Sequence, residues 1–409
     1  MLNRVWGMFF LVSAVGCLWQ WLVGNDPLVF ARWVEQLFEM AKLAIDIGIG
    51  LAGMMAMWLG LMKIGERAGL IDKLAVLLAP LFSRLMPEVP KGDPALGSIT
   101  MNMAANALGM DNAATPIGIR AMEQLQRLNP TPTIASNAQI LFLVLNTSSV
   151  TLFPVAVLLY RAQQGAMSPS EVFVPILLAT SASTIIGLLT VCLVQRIKLW
   201  DTVLLIWFGA AMALLTTLVV SLAGYSHQQL QAFSSLWGNF AIFALIMLIV
   251  TVAAYRKLAL FDLFIEGAKE GLRTTVTILP YLVAMLLAIA SLRASGILDG
   301  VIYGIRMLVE VLGFDGRFVD ALPTGLMKPF SGSGARAMML ETMNSHGVDS
   351  FAAKLAAVMQ GSTETTFYVF AVYFGAVKIR NGRHAIPCGL AADFAGISAA
   401  IFVSYWFFG

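Results

Sequence analysis

Charge is what this sequence has least of. Only 12% of its 409 residues are charged while 59% are hydrophobic. A soluble domain carries about 25% charged residues, so no appreciable soluble domain is expected. Histidine is nearly absent, and three residues argue against a haem or zinc enzyme. The three cysteines, Cys17, Cys192 and Cys388, lie apart in apolar segments and offer neither a disulfide framework nor metal-ligand spacing. The formal net charge of +3 is too small to imply nucleic acid as a partner. No cofactor is expected, and no catalytic dyad converges.

What is present is a succession of apolar runs along the whole chain. Nine are long enough to cross a bilayer, which takes about 20 residues: 5–23, 44–62, 137–160, 172–194, 202–222, 238–255, 274–292, 355–377 and 387–408. The first follows Asn3-Arg4 and runs on without a small-x-small cleavage site, which reads as a retained helix. The pattern predicts an all-α polytopic membrane protein whose main partner is the lipid bilayer. Segments 70–86 and 297–312 are apolar but short and charged, which suits interfacial helices. Segments 95–128 and 318–343 are broken by glycine, proline and polar residues and are expected to form re-entrant hairpins.

Two spans carry polar centres. Gln360-Gly361-Ser362-Thr363-Glu364-Thr365-Thr366 interrupts 355–377, and Asn146-Thr147-Ser148-Ser149-Val150-Thr151 interrupts 137–160. Successive residues on a helix turn by 100°, so such runs would point some polar groups at lipid. An interruption at Gly361, and one near Thr147 promoted by Pro154, avoids that cost. A carboxylate near midmembrane marks a functional site by default, and burial would favour its protonated form. Glu364, with Thr366, is therefore the expected site of a coupling proton or ion.

The two halves repeat. Ala41-Lys42 matches Ala268-Lys269, Gly69 and Asp72 match Gly296 and Asp299, and Thr147-Ser148 matches Ser362-Thr363. Five spans separate equivalent positions. An odd number inverts the copies, an architecture that places a transporter's site between repeats near midmembrane. The lysines and arginines of the short loops around Arg196, Arg256 and Arg380 put the N-terminus in the cytoplasm and the C-terminus outside.

The hairpin tips and interrupted spans supply the candidate substrate-binding residues. From the first half these are Asn106, Asp111, Asn112, Thr115, Asn146, Thr147 and Ser148. From the second they are Ser331, Gly332, Ser333, Gly334, Arg336, Gln360, Ser362 and Thr363. Glycines allow close backbone approach, and free N–H groups at a helix start favour an anionic or strongly polar group. Taken singly, the asparagines and hydroxyls also fit plain interhelical packing, and Arg120 and Arg336 also fit snorkelling to an interface.

The stretch Asn106 to Gln124, with Trp58 to Ile64 and Val144 to Ser148, closely resembles the spore maturation protein A family. Ile265 to Gly271, Lys328 to Arg336 and Gly361 to Tyr368 resemble the spore maturation protein B family. The resemblance implies a natural fusion, with an A-like repeat in 1–200, a linking helix in 201–232 and a B-like repeat in 233–409. Both families belong to the gate, or nucleoside-recognition, superfamily, which resembles the hairpin-and-broken-helix core of concentrative nucleoside transporters. It implies a bacterial inner-membrane protein of spore-maturation type. The expected function is coupled movement of a small polar or anionic solute, nucleoside-like by fold analogy only. The alternative is a non-transporting scaffold or regulator of envelope or spore assembly. A homo-oligomer is an open partner in either case.

Overall fold

The computed structural model describes residues 2–109, 111–148, 151–197 and 200–409, apart from the side chains of 2–5 and 111–113. Its helices in chain order are α1 (Leu2–Leu22), α2 (Val29–Arg67), α3 (Leu70–Leu85), α4 (Pro94–Ala107), α5 (Asp111–Arg127), α6 (Asn137–Thr147), α7 (Val155–Gln163), α8 (Phe173–Gln195) and α9 (Thr202–Leu222). There follow α10 (His227–Tyr255), α11 (Leu260–Ala294), α12 (Ile297–Val311), α13 (Leu322–Met327), α14 (Gly332–His346), α15 (Phe351–Ser362), α16 (Thr366–Ala376) and α17 (Ala385–Phe408).

Six helices among the described residues are long and apolar enough to cross a membrane: α2, α8 with the turn before it, α9, α10, α11 and α17. The other three expected spans are α1, whose described apolar part is shorter, and the pairs α6/α7 and α15/α16, each split at its polar centre. The protein is a multi-pass membrane protein. Helix α9 shows why directly: of its 21 residues only Leu204 and Leu222 are buried, leaving an apolar cylinder that needs lipid around it.

Local chemistry sets many boundaries. Asp93 caps α4 by accepting from the Ala95 N–H, with Pro94 in the first turn. Ser136 and Gln139 form a capping box at α6, and Ser226 and Gln229 form one at α10. Gly69 and Gly296, matched in sequence, both adopt φ of +69° at the start of α3 and α12. Only glycine takes this conformation without strain, and it lets the chain leave α2 and α11 abruptly for the short amphipathic helices.

Helices α2–α8 and α11–α17 follow one another in the same order: long helix, amphipathic helix, hairpin, interrupted pair, long helix. Equivalent long helices pack together and antiparallel. On the α2–α11 seam Gly60 lies against Phe264, Ala56 against Gly271 and Gly48 against Leu279. On the α8–α17 seam Gly187 and Ser183 lie against Ala392, and Gln195 reaches His384. Antiparallel pairing of corresponding helices is what an inverted repeat requires.

The second interruption is displaced from its expected place. Gly361 remains helical, and the extended residues are Thr363, Glu364 and Thr365. Gly361 packs against Ile176 of α8, where a Cβ would sit 2.7 Å from Ile176 Cγ2. The first interruption falls between Thr147 and Pro154; Ser149 and Val150 lie outside the described residues.

Candidate functional site

The tips and the breaks converge. In the first repeat the Leu152 N–H donates to the Ala107 carbonyl at 3.1 Å, joining the break to the hairpin. In the second the Phe367 N–H does the same to Pro329 at 2.9 Å. The Glu364 N–H then donates to the Thr147 carbonyl at 2.8 Å, so one broken helix completes the other. Interrupting a helix frees backbone groups that lipid cannot satisfy, and here the partner repeat and the tips satisfy several of them.

Against this junction lies a cavity of about 100 Å³. Gly109 and Gly332 bring both hairpin tips to it, and Thr151, Pro154, Gln360 and Glu364 bring both breaks. Its charged lining also includes Lys328 and Arg336. A Cβ at Gly109 would sit 2.8 Å from the Phe153 carbonyl oxygen, so that tip seats only because glycine occupies it. Lys328 is buried and donates from Nζ to the Gln360 carbonyl at 2.7 Å. Arg336 lies with its guanidinium 5.3 Å from the Tyr160 ring centroid, a cation–π distance that spans the repeats. Its sequence counterpart Arg120 is exposed on α5, as snorkelling would have it.

Several expected residues are placed otherwise. The hydroxyls of Thr147 and Ser148 both donate to the Val144 carbonyl, and that of Ser362 donates to Met359. They close their own helix ends and are not on the cavity wall; their main-chain groups take part instead. Ser331 caps α14 by accepting from Gly334 N–H, with Ser333 Oγ 3.2 Å away. Thr115 is half-buried on α5, and the side chains of Asp111 and Asn112 lie outside the described residues. Asn106 and Asn146 do come together: Asn106 Nδ2 donates to Asn146 Oδ1 at 3.0 Å, beside the hydroxyl of Tyr373 at 3.5 Å. Buried polar atoms without a hydrogen-bond partner among the described residues include Asn102 Oδ1, Gln360 Oε1 and Asp393 Oδ1. Such atoms are costly unless water or a ligand meets them.

The expectation of a buried Glu364 is corrected. Its side chain is exposed, because the extended backbone from Thr363 to Thr365 turns it outward at the cavity. Thr366, expected beside it at an ion site, faces away and donates to Asp393 Oδ2 at 2.6 Å. The buried acid beside this break is Asp393 on α17. Sequence reasoning passed over both Asp393 and Tyr373. A lone acid inside the apolar run 387–408 was the available signal, since the argument applied to Glu364 applies to it equally.

The family profile described as Gate, nucleoside recognition, matches residues 49–163 and 275–380, which contain both hairpins and both interrupted pairs. The chain belongs to the Gate family. Its curated relatives divide it in two. Spore maturation protein A of Bacillus subtilis (strain 168) is 44% identical over 151 residues, 37% of this chain and 77% of that protein. Spore maturation protein B of the same organism is 38% identical over 174 residues, 42% of this chain and 96% of that protein. Each relative covers part of the chain, as in a fusion of two Gate repeats. No solved structure matches the chain.

Proposed function

We propose that this protein moves a small polar or anionic solute across the bacterial inner membrane, with the cavity between the tips as its binding site. The observation that carries this reading is the convergence of both tips and both breaks on one cavity whose charged lining is Lys328, Arg336 and Glu364. Two cations against one carboxylate favour a solute that brings negative charge. The cavity is small as it stands, so a nucleoside, suggested by the family description alone, would require the tips to part. Glu364, exposed in the cavity, is suited to meet an entering proton or cation that couples the movement. The hairpins enter the bilayer without crossing it, the N-terminus is cytoplasmic and the C-terminus external. The domains run 1–200, 201–232 and 233–409.

The rival reading is a non-transporting scaffold of envelope or spore assembly; the relatives' names favour it as much as transport. Proteoliposomes separate the two. Labelled uridine, inorganic phosphate and a dicarboxylate are supplied under proton and sodium gradients. Uptake of one of them above empty liposomes, lost in Arg336→Ala, supports transport. Absence of uptake for all three favours the scaffold.

A further inference from the structure

Asp393 has no role in the cavity, yet the surrounding sequence is arranged to admit it. Gly389 and Gly396 lie one turn to either side of it on α17. A Cβ at Gly389 would sit 2.9 Å from Thr366 Cγ2, and one at Gly396 would sit 2.5 Å from Thr363 Cγ2. The stripe Gly389-Asp393-Gly396 therefore lets α17 press directly on the extended break between α15 and α16, with the carboxyl at its centre. In the other repeat the corresponding helix α8 uses a neutral group: Thr184 donates its hydroxyl to the Ser148 carbonyl. One half carries an acid where the other carries an alcohol, so packing alone does not call for the charge.

The carboxyl is 2% exposed. Oδ2 accepts from Thr366, while Oδ1 has no partner. Thr363 places its buried hydroxyl beside the same carboxyl. The Thr363 hydroxyl can serve this carboxyl in both of its states, donating to an ionised Oδ1 or accepting from Oδ1–H. The ionised form is a buried carboxylate, which is tolerated only with a counter-charge.

The charged groups close enough to act on Asp393 through their fields are Lys328, from the second hairpin tip, and Glu364, from the break. The other elements packed on α17 bring none close. α6 has no ionisable residue, and α8 has only Cys192, near its far end. On α15 Lys354 is held by Glu171; on α16 Tyr368 is exposed and Tyr373 turns to Asn146; on α10 His227 and Tyr255 stand at the two ends.

We propose that Asp393 is a proton-binding site behind the cavity, read out by the second hairpin through Lys328. Protonated, the carboxyl is neutral and hydrogen-bonds the break, and Lys328 stays on the Gln360 carbonyl. Deprotonated, with the proton passed to cavity water, it attracts the Lys328 ammonium away from Gln360 and loosens the tip. This assignment deepens the transport reading by naming where a proton that enters past Glu364 is held, but its test does not depend on that reading.

The test is pH-induced infrared difference spectroscopy of the full-length protein in lipid nanodiscs, following the C=O stretch of protonated carboxyls. Wild type is expected to show a buried-carboxyl band that titrates and is missing in Asp393→Asn. Lys328→Met removes the positive neighbour and should raise the titration midpoint by about one pH unit or more, while Glu364→Gln removes a negative neighbour and should lower it. If Asp393→Asn does not fold, Thr366→Val serves in its place, since loss of the donor to the carboxylate should raise the same midpoint. A band unchanged in Asp393→Asn, or a midpoint indifferent to both Lys328→Met and Thr366→Val, overturns the proposal. The expected titration in a protein that moves none of the three solutes would support this site while counting against transport.

Discussion

The main-chain N–H of Glu364 donates to the carbonyl of Thr147 across 2.8 Å, linking the interruption of one repeat to that of the other. In water this would be an ordinary backbone hydrogen bond. Within a bilayer it satisfies two backbone groups that their own helices have released, which is the condition for interrupting a helix there. The two breaks are therefore mutually dependent.

That dependence can be tested by separating backbone from side chain. Glu364→Gln keeps the N–H and should unfold within about 0.5 kcal/mol of wild type, the usual range for surface changes. Glu364→Pro removes the N–H and strands the Thr147 carbonyl, at a cost of about 1–3 kcal/mol. Thermal unfolding in detergent compares them. Equal melting temperatures for the two variants would mean that the cross-repeat bond contributes nothing.

The α2–α11 seam depends on contact without side chains. A Cβ at Gly271 would sit 2.5 Å from the Met55 carbonyl oxygen and 2.7 Å from Ala56 Cα. Both neighbours are backbone and cannot rotate away. Gly271→Val should destabilise by about 1–3 kcal/mol or more, as overpacking does, and Gly53→Ala, with nothing within 4 Å of its Cβ, should not. Melting curves of the two variants decide the point; equal stability would show that the helices can slide apart freely.

The orientation proposed for the chain is open to cysteine labelling. Asn381 lies beside Ala135 and just before His384, at the N-terminal end of α17, and His227 lies beside Trp406 at the other end. Single cysteines replacing Gln164 and His227, in a background without the native three, should react with an impermeant maleimide added to intact cells. A cysteine at Asn381 should react only after permeabilisation. His227 and Asn381 labelling from the same side would contradict the packing of α17, and full reversal would contradict the charge rule that sets the orientation.

Much of this architecture was legible in the chain. Apolar length gave six of the nine expected spans as long helices, and polar runs gave the existence of both interruptions, though not the position of the second. Matched residues such as Gly69 and Gly296 gave the repeat. The polarity of Thr147, Ser148 and Ser362 was legible, but the use of their hydroxyls to close their own helix ends was not. A serine or threonine there can bond back to a carbonyl three or four residues earlier or point into a cavity, and the sequence is the same in both cases.

The sequence by itself determined that the chain lives in a membrane and which stretches are apolar enough to cross it. These depend on residues near one another, and the bilayer judges each stretch by its own polarity and length. Which carboxylate would be buried was decided only by tertiary structure. Glu364 and Asp393 both lie in apolar runs, but the break turns Glu364 outward, while Gly389 and Gly396 press Asp393 against the break from the following long helix. That difference depends on how α17 packs against α15 and α16, and a local pattern does not encode the direction in which a freed backbone will turn.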